Sequence, residues 1–265
     1  MAVKPKKHLG QHFLTDENIC RKIVDQYTNF SGTHNVLEIG PGMGAITKYF
    51  LEIEGINLEV MEIDTESVDY LQSNFPALQG KVHDSDFLKT DLKQLFNGES
   101  FAVVGNFPYN ISSQILFHCL EHKNQVPEIM GMFQKEVAER VAEKPGSKQY
   151  GILSVLLQTY YDIEYCFTVS EKVFNPPPKV KSGVIRCLRN KREVLPVDEK
   201  LYAQVVKATF NKRRKTIKNG LKAIVDVSLL PNHSFLALRP EVLSVEDFIE
   251  LTELVEKAIN SNDIE

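Results

Sequence analysis

The chain has 265 residues, 43% hydrophobic and 25% charged, an ordinary globular composition with room for one large domain or a large and a small one. This excludes a mainly disordered chain, a collagen-like repeat and a disulfide-stapled miniprotein. No apolar run reaches the roughly 20 residues that span a bilayer, and the basic opening MAVKPKKHLGQHF lacks the apolar stretch of a secretory signal. A cytoplasmic protein with no membrane partner is expected. Cys20, Cys119, Cys166 and Cys187 stand far apart, with neither a CxxC pair nor zinc spacing, so they read as reduced thiols and no metal site is expected.

The net charge of −4 hides an uneven distribution: residues 241–265 carry eight acids and one base, 179–192 six bases and no acid, and 205–222 seven bases and no acid. An acidic chain with such local basic patches remains compatible with a nucleic-acid partner, because the local field governs encounter.

Residues 1–12 are basic, lack apolar periodicity and read as an arm. Thr15 then reads as an N-cap, followed by one apolar helical face of Ile19, Ile23, Val24 and Tyr27. Next come strand 35–40, helix 44–53, strand 58–63, helix 65–74, strand 81–83, strand 101–105 and helix 112–122. Strand 128–133 and helices 134–142 and 151–160 complete the alternation. This rhythm predicts a parallel sheet with helices on both faces, an α/β fold of the Rossmann-like kind. Runs 161–169 and 182–189, around a proline-rich turn, predict an antiparallel pair at the sheet edge. The polar stretch 190–199 with Pro196 places a boundary between a catalytic domain, 1–194, and a small helical domain, 195–265. In the latter, Val206, Phe210, Ile217, Leu221 and Ile224 share a helical face onto which Arg213 would project. Either that arginine snorkels or the helix breaks near 211–215. A last amphipathic helix is expected over 244–259.

Glu38-Ile-Gly40-Pro-Gly42-Met-Gly44 sits where a strand ends and a helix begins, allowing a tight turn and close backbone approach to a ligand. Glu62, at the end of the next strand, suits ribose hydroxyls, and Asp86, after the third, suits an adenine amine. The GxGxG spacing differs from a nicotinamide site, and Glu38 would repel a pyrophosphate but attract a sulfonium or an amine. An adenosine-containing, cationic cofactor fits best: S-adenosylmethionine.

Asn106-Phe107-Pro108-Tyr109 follows the fourth strand, at the edge where open α/β sheets hold ligands. An adenine N6 amine is a poor nucleophile, its lone pair being delocalised into the ring. The Asn106 oxygen and the Phe107 or Pro108 carbonyl could accept its hydrogens and favour a pyramidal nitrogen. Tyr109 offers a face on which a splayed base stacks. With an activated methyl donor, positioning and electrostatics carry most of the rate.

These segments resemble the ribosomal RNA adenine N6,N6-dimethyltransferases over nearly the whole chain: HLGQHFLTD (8–16), LEIGPGMGAIT (37–47), MEID (61–64), DSDF (84–87), NFPYNIS (106–112), QKEVAERV (134–141), VFNPPPKVKSGV (173–184) and FNKRRKTIKNGL (210–221). The resemblance implies cofactor contacts from His12, Leu14, Gly40, Glu62, Asp86 and Asn106, joining Glu38 and Gly42 of the glycine loop. It implies that Phe174 sandwiches the target adenine with Tyr109. Many members have Asn where this chain has His12. The last basic segment resembles the branch that dimethylates two adjacent adenosines in the 3′-terminal hairpin loop of small-subunit (16S) ribosomal RNA. Lys212, Arg213, Arg214, Lys215 and Lys218 would then grip RNA phosphates beside a flipped base. The implied partner is an immature small ribosomal subunit, met by a monomer, since one active site faces one large particle. The alternatives are the large-subunit branch that confers macrolide resistance, a mainly binding role at an assembly checkpoint, and a DNA adenine methyltransferase.

Overall fold

A computed structural model describes residues 3–262, so Met1 and Ala2 of the expected arm and residues 263–265 of the acidic tail lie outside the described residues. In chain order the elements are β1 (Phe13–Leu14), α1 (Glu17–Val24), β2 (Asn35–Ile39), α2 (Thr47–Phe50), β3 (Asn57–Glu62), α3 (Thr65–Asn74), β4 (Val82–Asp84) and β5 (Ala102–Asn106). There follow α4 (Ser112–Glu121), β6 (Glu128–Gln134), α5 (Lys135–Ala142), α6 (Ile152–Gln158), β7 (Tyr161–Val169), β8 (Phe174–Asn175), β9 (Ser182–Arg189), α7 (Glu199–Asn211), α8 (Ile217–Leu221) and α9 (Val245–Asn262).

Seven strands form one sheet in the order β4-β3-β2-β5-β6-β9-β7. The first five run parallel, while β9 is antiparallel to both β6 and β7, the edge pair expected around the proline-rich turn. β2 pairs with β3 on one side and β5 on the other. Such a reversal of strand order opens a crevice at the carboxyl ends.

Strand parity decides what faces that crevice. Side chains two apart share a face of a sheet. Val36, Leu58, Val60, Ala102, Val104, Met130 and Met132 belong to one apolar cluster with Cys20, Ile23 and Phe50, while Leu37, Val103 and Ile129 are buried on the opposite face. Burial on both sides explains the unbroken apolar strands of a helix-covered parallel sheet. Glu38, Glu62 and Asn106 lie two residues beyond Val36, Val60 and Val104, so the polar groups at the strand ends share the face of this cluster.

Several local expectations are corrected. Asp16, not Thr15, caps α1: its carboxylate accepts from the Asn18 and Ile19 amides, while Thr15 Oγ1 donates to the Val173 carbonyl 2.9 Å away. The expected helix 44–53 is reduced to α2, because the positive φ of 78° at Gly44 keeps the loop turning before regular helix starts. α9 starts at Val245 and runs to Asn262, longer than expected.

The described residues form two compact units, one comprising 3–139 with Tyr161–Arg189, the other Arg140–Tyr160 with 190–262. The expected break after 194 therefore falls inside the second unit, which also takes in α6. That unit has its own aromatic core: the Phe210 ring lies 6.2 Å from that of Tyr150 and 5.8 Å from that of Phe248, and Tyr202 is hydrogen-bonded to Thr159 at 2.8 Å. Between α7 and α8 the helix breaks, as one of the two alternatives for Arg213 required.

Candidate functional site

A cavity of about 410 Å³ opens at the carboxyl ends of β2, β3 and β5, in the size range of small-molecule sites. His12, Leu14, Glu38, Gly40, Gly42, Glu62, Asp86 and Asn106 all line it, and so do Phe107, Pro108 and Tyr109. Phe174 does not.

Gly40 and Gly42 have φ of 66° and 56°, the left-handed region glycine tolerates. A Cβ at Gly42 would sit 2.8 Å from the Phe13 ring, so only glycine lets β1 lie against the loop. Glu62 is 5% exposed and does more than the sequence implied: Oε2 accepts from the Gly42 amide at 3.0 Å, and Oε1 accepts from the Ile63 and Asp64 amides at 2.9 Å each. It thus ties the glycine loop to the turn after β3 while retaining lone pairs for a ligand. Burial raises its carboxyl above the ordinary range, and the amide hydrogen bonds oppose this. Asp86 Oδ1 accepts from Leu88 N at 3.0 Å, and Oδ2 lies 3.3 Å from Lys89 Nζ.

Glu38 is 1% exposed, and its Oε2 has no hydrogen-bond partner among the described residues. Burial pushes this carboxyl up to about 8; the Thr47 hydroxyl works against that shift and the Glu62 charge adds to it. A buried, unpaired carboxylate oxygen lining a cavity is costly unless a cation or donor meets it.

Asn106 Nδ2 donates to the His12 carbonyl at 3.1 Å. This leaves Oδ1 as the acceptor, the polarity that an amine hydrogen requires. The following loop is anchored by Phe107, which is 1% exposed and whose ring centroid lies 4.8 Å from that of Phe133. Gly131 makes room for it: a Cβ there would come within 2.4 Å of the Phe107 ring and of the Gly105 carbonyl. The Pro108 carbonyl accepts from Ile111 N at 3.2 Å and so closes the turn with one of its lone pairs. Tyr109 is hydrogen-bonded to Ser182; burial raises its phenol and this bond opposes the shift.

The expected Tyr109–Phe174 sandwich is not what the structure holds. Phe174 pairs with Leu14 across the β1–β8 ribbon and is 4% exposed in the apolar cluster. Adjacent residues of a strand point to opposite sides, so burying Phe174 sends Asn175 outward. The ring against Tyr109 is His12, 5.5 Å between centroids at an interplanar angle of 28°, with His12 Nδ1 donating to the Pro176 carbonyl at 2.8 Å.

The way the arm is held was not visible in the sequence. Lys6 Nζ bonds to Asp64, whose side chain is fully buried, and Gln11 Nε2 donates to the same carboxylate at 3.0 Å. Leu9, Gly10 and Gln11 thereby line the cavity. The available signal was Asp64 itself, an acid two residues beyond Glu62 facing a basic arm. In the second unit, Lys212, Arg214, Lys215 and Lys218 are exposed. Arg213 is instead turned onto its own unit, donating to the Ser147 carbonyl at 3.2 Å with Nε 3.9 Å from Glu241.

A doubly wound parallel sheet with a glycine loop, strand-end carboxylates and an Asn-Phe-Pro-Tyr turn on one cavity defines a Rossmann-like, S-adenosylmethionine-dependent methyltransferase. The profile of one family, described as ribosomal RNA adenine dimethylase, matches residues 2–257, and the chain belongs to that family. It is 56% identical over 254 residues to ribosomal RNA small subunit methyltransferase A of Flavobacterium johnsoniae, covering 96% of this chain and 97% of that one. The protein of the same description in Parabacteroides distasonis is 56% identical over 257 residues, covering 96% of this chain and 95% of that one. Among solved structures, a dimethyladenosine transferase from Plasmodium falciparum superposes with a TM-score of 0.77 at 22% identity, covering 93% of this chain and 98% of that one, a likeness of fold.

The residues present fit S-adenosylmethionine as cofactor. The unpaired Glu38 oxygen suits the ammonium of its aminoacyl end, and the buried acid at the glycine loop would repel the pyrophosphate of a dinucleotide.

Proposed function

We propose that this protein methylates N6 of two adjacent adenosines in the 3′-terminal hairpin loop of small-subunit (16S) ribosomal RNA, giving N6,N6-dimethyladenosine, during small-subunit assembly in the cytoplasm. The observation that carries the chemistry is the Asn106 amide, held by the His12 carbonyl so that its oxygen is the free acceptor. The choice of RNA rests on the relatives, both described as small-subunit enzymes and matched over nearly their whole length.

When bound, S-adenosylmethionine supplies a methyl group on a sulfonium, which needs no further activation. Glu38, Gly42 and Glu62, which line the cavity, would hold and orient the cofactor through their carboxyl groups and the loop backbone. Asn106 Oδ1 accepts a hydrogen of the adenine amine and draws its lone pair out of conjugation, with the Phe107 carbonyl as the second acceptor, since Pro108 closes the turn. The Tyr109 ring carries the flipped base, taking the face that His12 now covers; Ser182 fixes its tilt through the phenol. Phe174, buried beside Leu14, would complete the sandwich through a shift of the β1–β8 ribbon on RNA binding. Lys212, Arg214, Lys215 and Lys218 bind phosphates, and Arg213 buttresses the turn that presents them. The working form is a monomer acting on an immature particle.

The test is to supply labelled S-adenosylmethionine with unmodified small and large ribosomal subunits separately. Label in small-subunit RNA alone supports the reading; label in large-subunit RNA assigns the protein to the other branch. A binding role at a small-subunit assembly checkpoint is compatible with the first result: a catalytically dead variant that still binds the cofactor would then retain particle binding, and loss of that binding would count against it.

A further inference from the structure

Where the glycine loop enters α2, the cavity wall acquires Lys48. Among the described residues lining the cavity it is the single lysine or arginine, against the four carboxylates of Glu17, Glu38, Glu62 and Asp86. Its Nζ lies 2.7 Å from the Glu17 carboxylate and 5.1 Å from the centroid of the Tyr49 ring. Tyr49 is itself hydrogen-bonded to Glu17, so acid and phenol together hold the lysine at the rim. The pair is open to solvent, with the lysine side chain 39% and the glutamate side chain 59% exposed. Exposed pairs of this kind are weak and exchange partners readily.

The aminoacyl tail of S-adenosylmethionine is a zwitterion whose α-carboxylate is the only negative charge on the molecule. In a wall with four acids, that carboxylate needs a cation and finds one. Glu38, with its unpaired oxygen, would meet the ammonium, and Thr47, whose hydroxyl acts on Glu38, is the residue before Lys48. We propose that Lys48 is the positioning residue for the cofactor's α-carboxylate, and that Glu17 is a displaceable counter-ion which keeps the lysine at the rim until that carboxylate arrives. This rests on the cofactor reading above.

Calorimetric titration of the full-length protein with two ligands separates the possibilities. S-adenosylhomocysteine carries the aminoacyl tail, whereas 5′-methylthioadenosine has the same nucleoside without it. Lys48→Met is expected to weaken S-adenosylhomocysteine about tenfold, the scale of one solvent-screened charge-assisted contact, and to leave methylthioadenosine unchanged. Lys48→Arg is expected to stay within about threefold of the unaltered protein for both. Equal losses for the two ligands would mark a distorted cavity and overturn the proposal. Undiminished affinity for S-adenosylhomocysteine would also overturn it, including the case in which RNA affinity falls instead and Lys48 serves a phosphate. Failure of the unaltered protein to bind either ligand would overturn the cofactor reading and this inference with it.

Discussion

Replacing Glu38 by Gln tests the site's electrostatics through stability as well as binding. The buried carboxyl has its pKa raised from 4.5 to about 8. Between those values the folded chain keeps a proton that the unfolded chain releases, so the Glu38 contribution to stability declines as pH rises through this window and levels off above pH 8. At pH 7 the ionisation penalty is roughly 3 kcal/mol. The Gln amide is neutral but remains short of a partner, at a cost of about 1 kcal/mol. Glu38→Gln should therefore stabilise the free protein by about 2 kcal/mol at pH 7, a rise in Tm of roughly 5 °C, and by almost nothing at pH 5. S-adenosylhomocysteine should bind the variant at least tenfold more weakly, because the amide can no longer ionise to meet the ligand's ammonium. Thermal melts at pH 5, 7 and 8.5, with and without S-adenosylhomocysteine, measure both effects. A variant less stable than the parent at pH 8.5, or one that binds the ligand undiminished, would refute the argument that Glu38 is an unpaired acid awaiting a cation.

Asn106→Ala should lower kcat for RNA methylation by about a hundredfold or more, roughly 3 kcal/mol of transition-state stabilisation, by analogy with losing an oxyanion-hole donor; single-turnover kinetics read this directly. Gly131→Ala places a methyl group 2.4 Å from the Phe107 ring and the Gly105 carbonyl, and should destabilise the fold by about 3 kcal/mol in urea unfolding while depressing methyl transfer through the displaced Asn-Phe-Pro-Tyr turn. Changing Lys212, Arg214, Lys215 and Lys218 together to Ala should weaken RNA binding uniformly and reduce the magnitude of the log–log salt slope by about 3, measured by filter binding at several salt concentrations.

The parts legible in the sequence were those governed by local periodicity and by chemistry at strand ends. Strand alternation located β2, β3, β5 and β6 to within a residue or so, and α3 on its full range, because both faces of a parallel sheet must be apolar. Glu38, Glu62 and Asn106 stood out because a polar residue ending an apolar strand has few structural reasons to be there, and Asp86 by its place after the next strand in order. What stayed hidden depends on pairing between distant segments. The resemblance implies that Phe174 stacks on the target adenine with Tyr109, yet its pairing with Leu14 turns it inward. The Lys6–Asp64 contact spans 58 residues, and no local pattern announces it. Lys48 looks like a solvated helix lysine until the fold brings Glu17, 31 residues away, against it at the cavity rim. Thr15 and Asp16 are both good capping residues, and only the backbone course set by the Thr15–Val173 contact separates them.

The most direct measurement of the central claim is nucleoside mass spectrometry on the RNA of unmodified small subunits incubated with this protein and S-adenosylmethionine. The expected product is N6,N6-dimethyladenosine from two adjacent positions of the 3′-terminal hairpin, formed about a hundredfold more slowly, or slower still, by Asn106→Ala. Measurable cofactor binding with no methylated adenosine in that hairpin would contradict the claim.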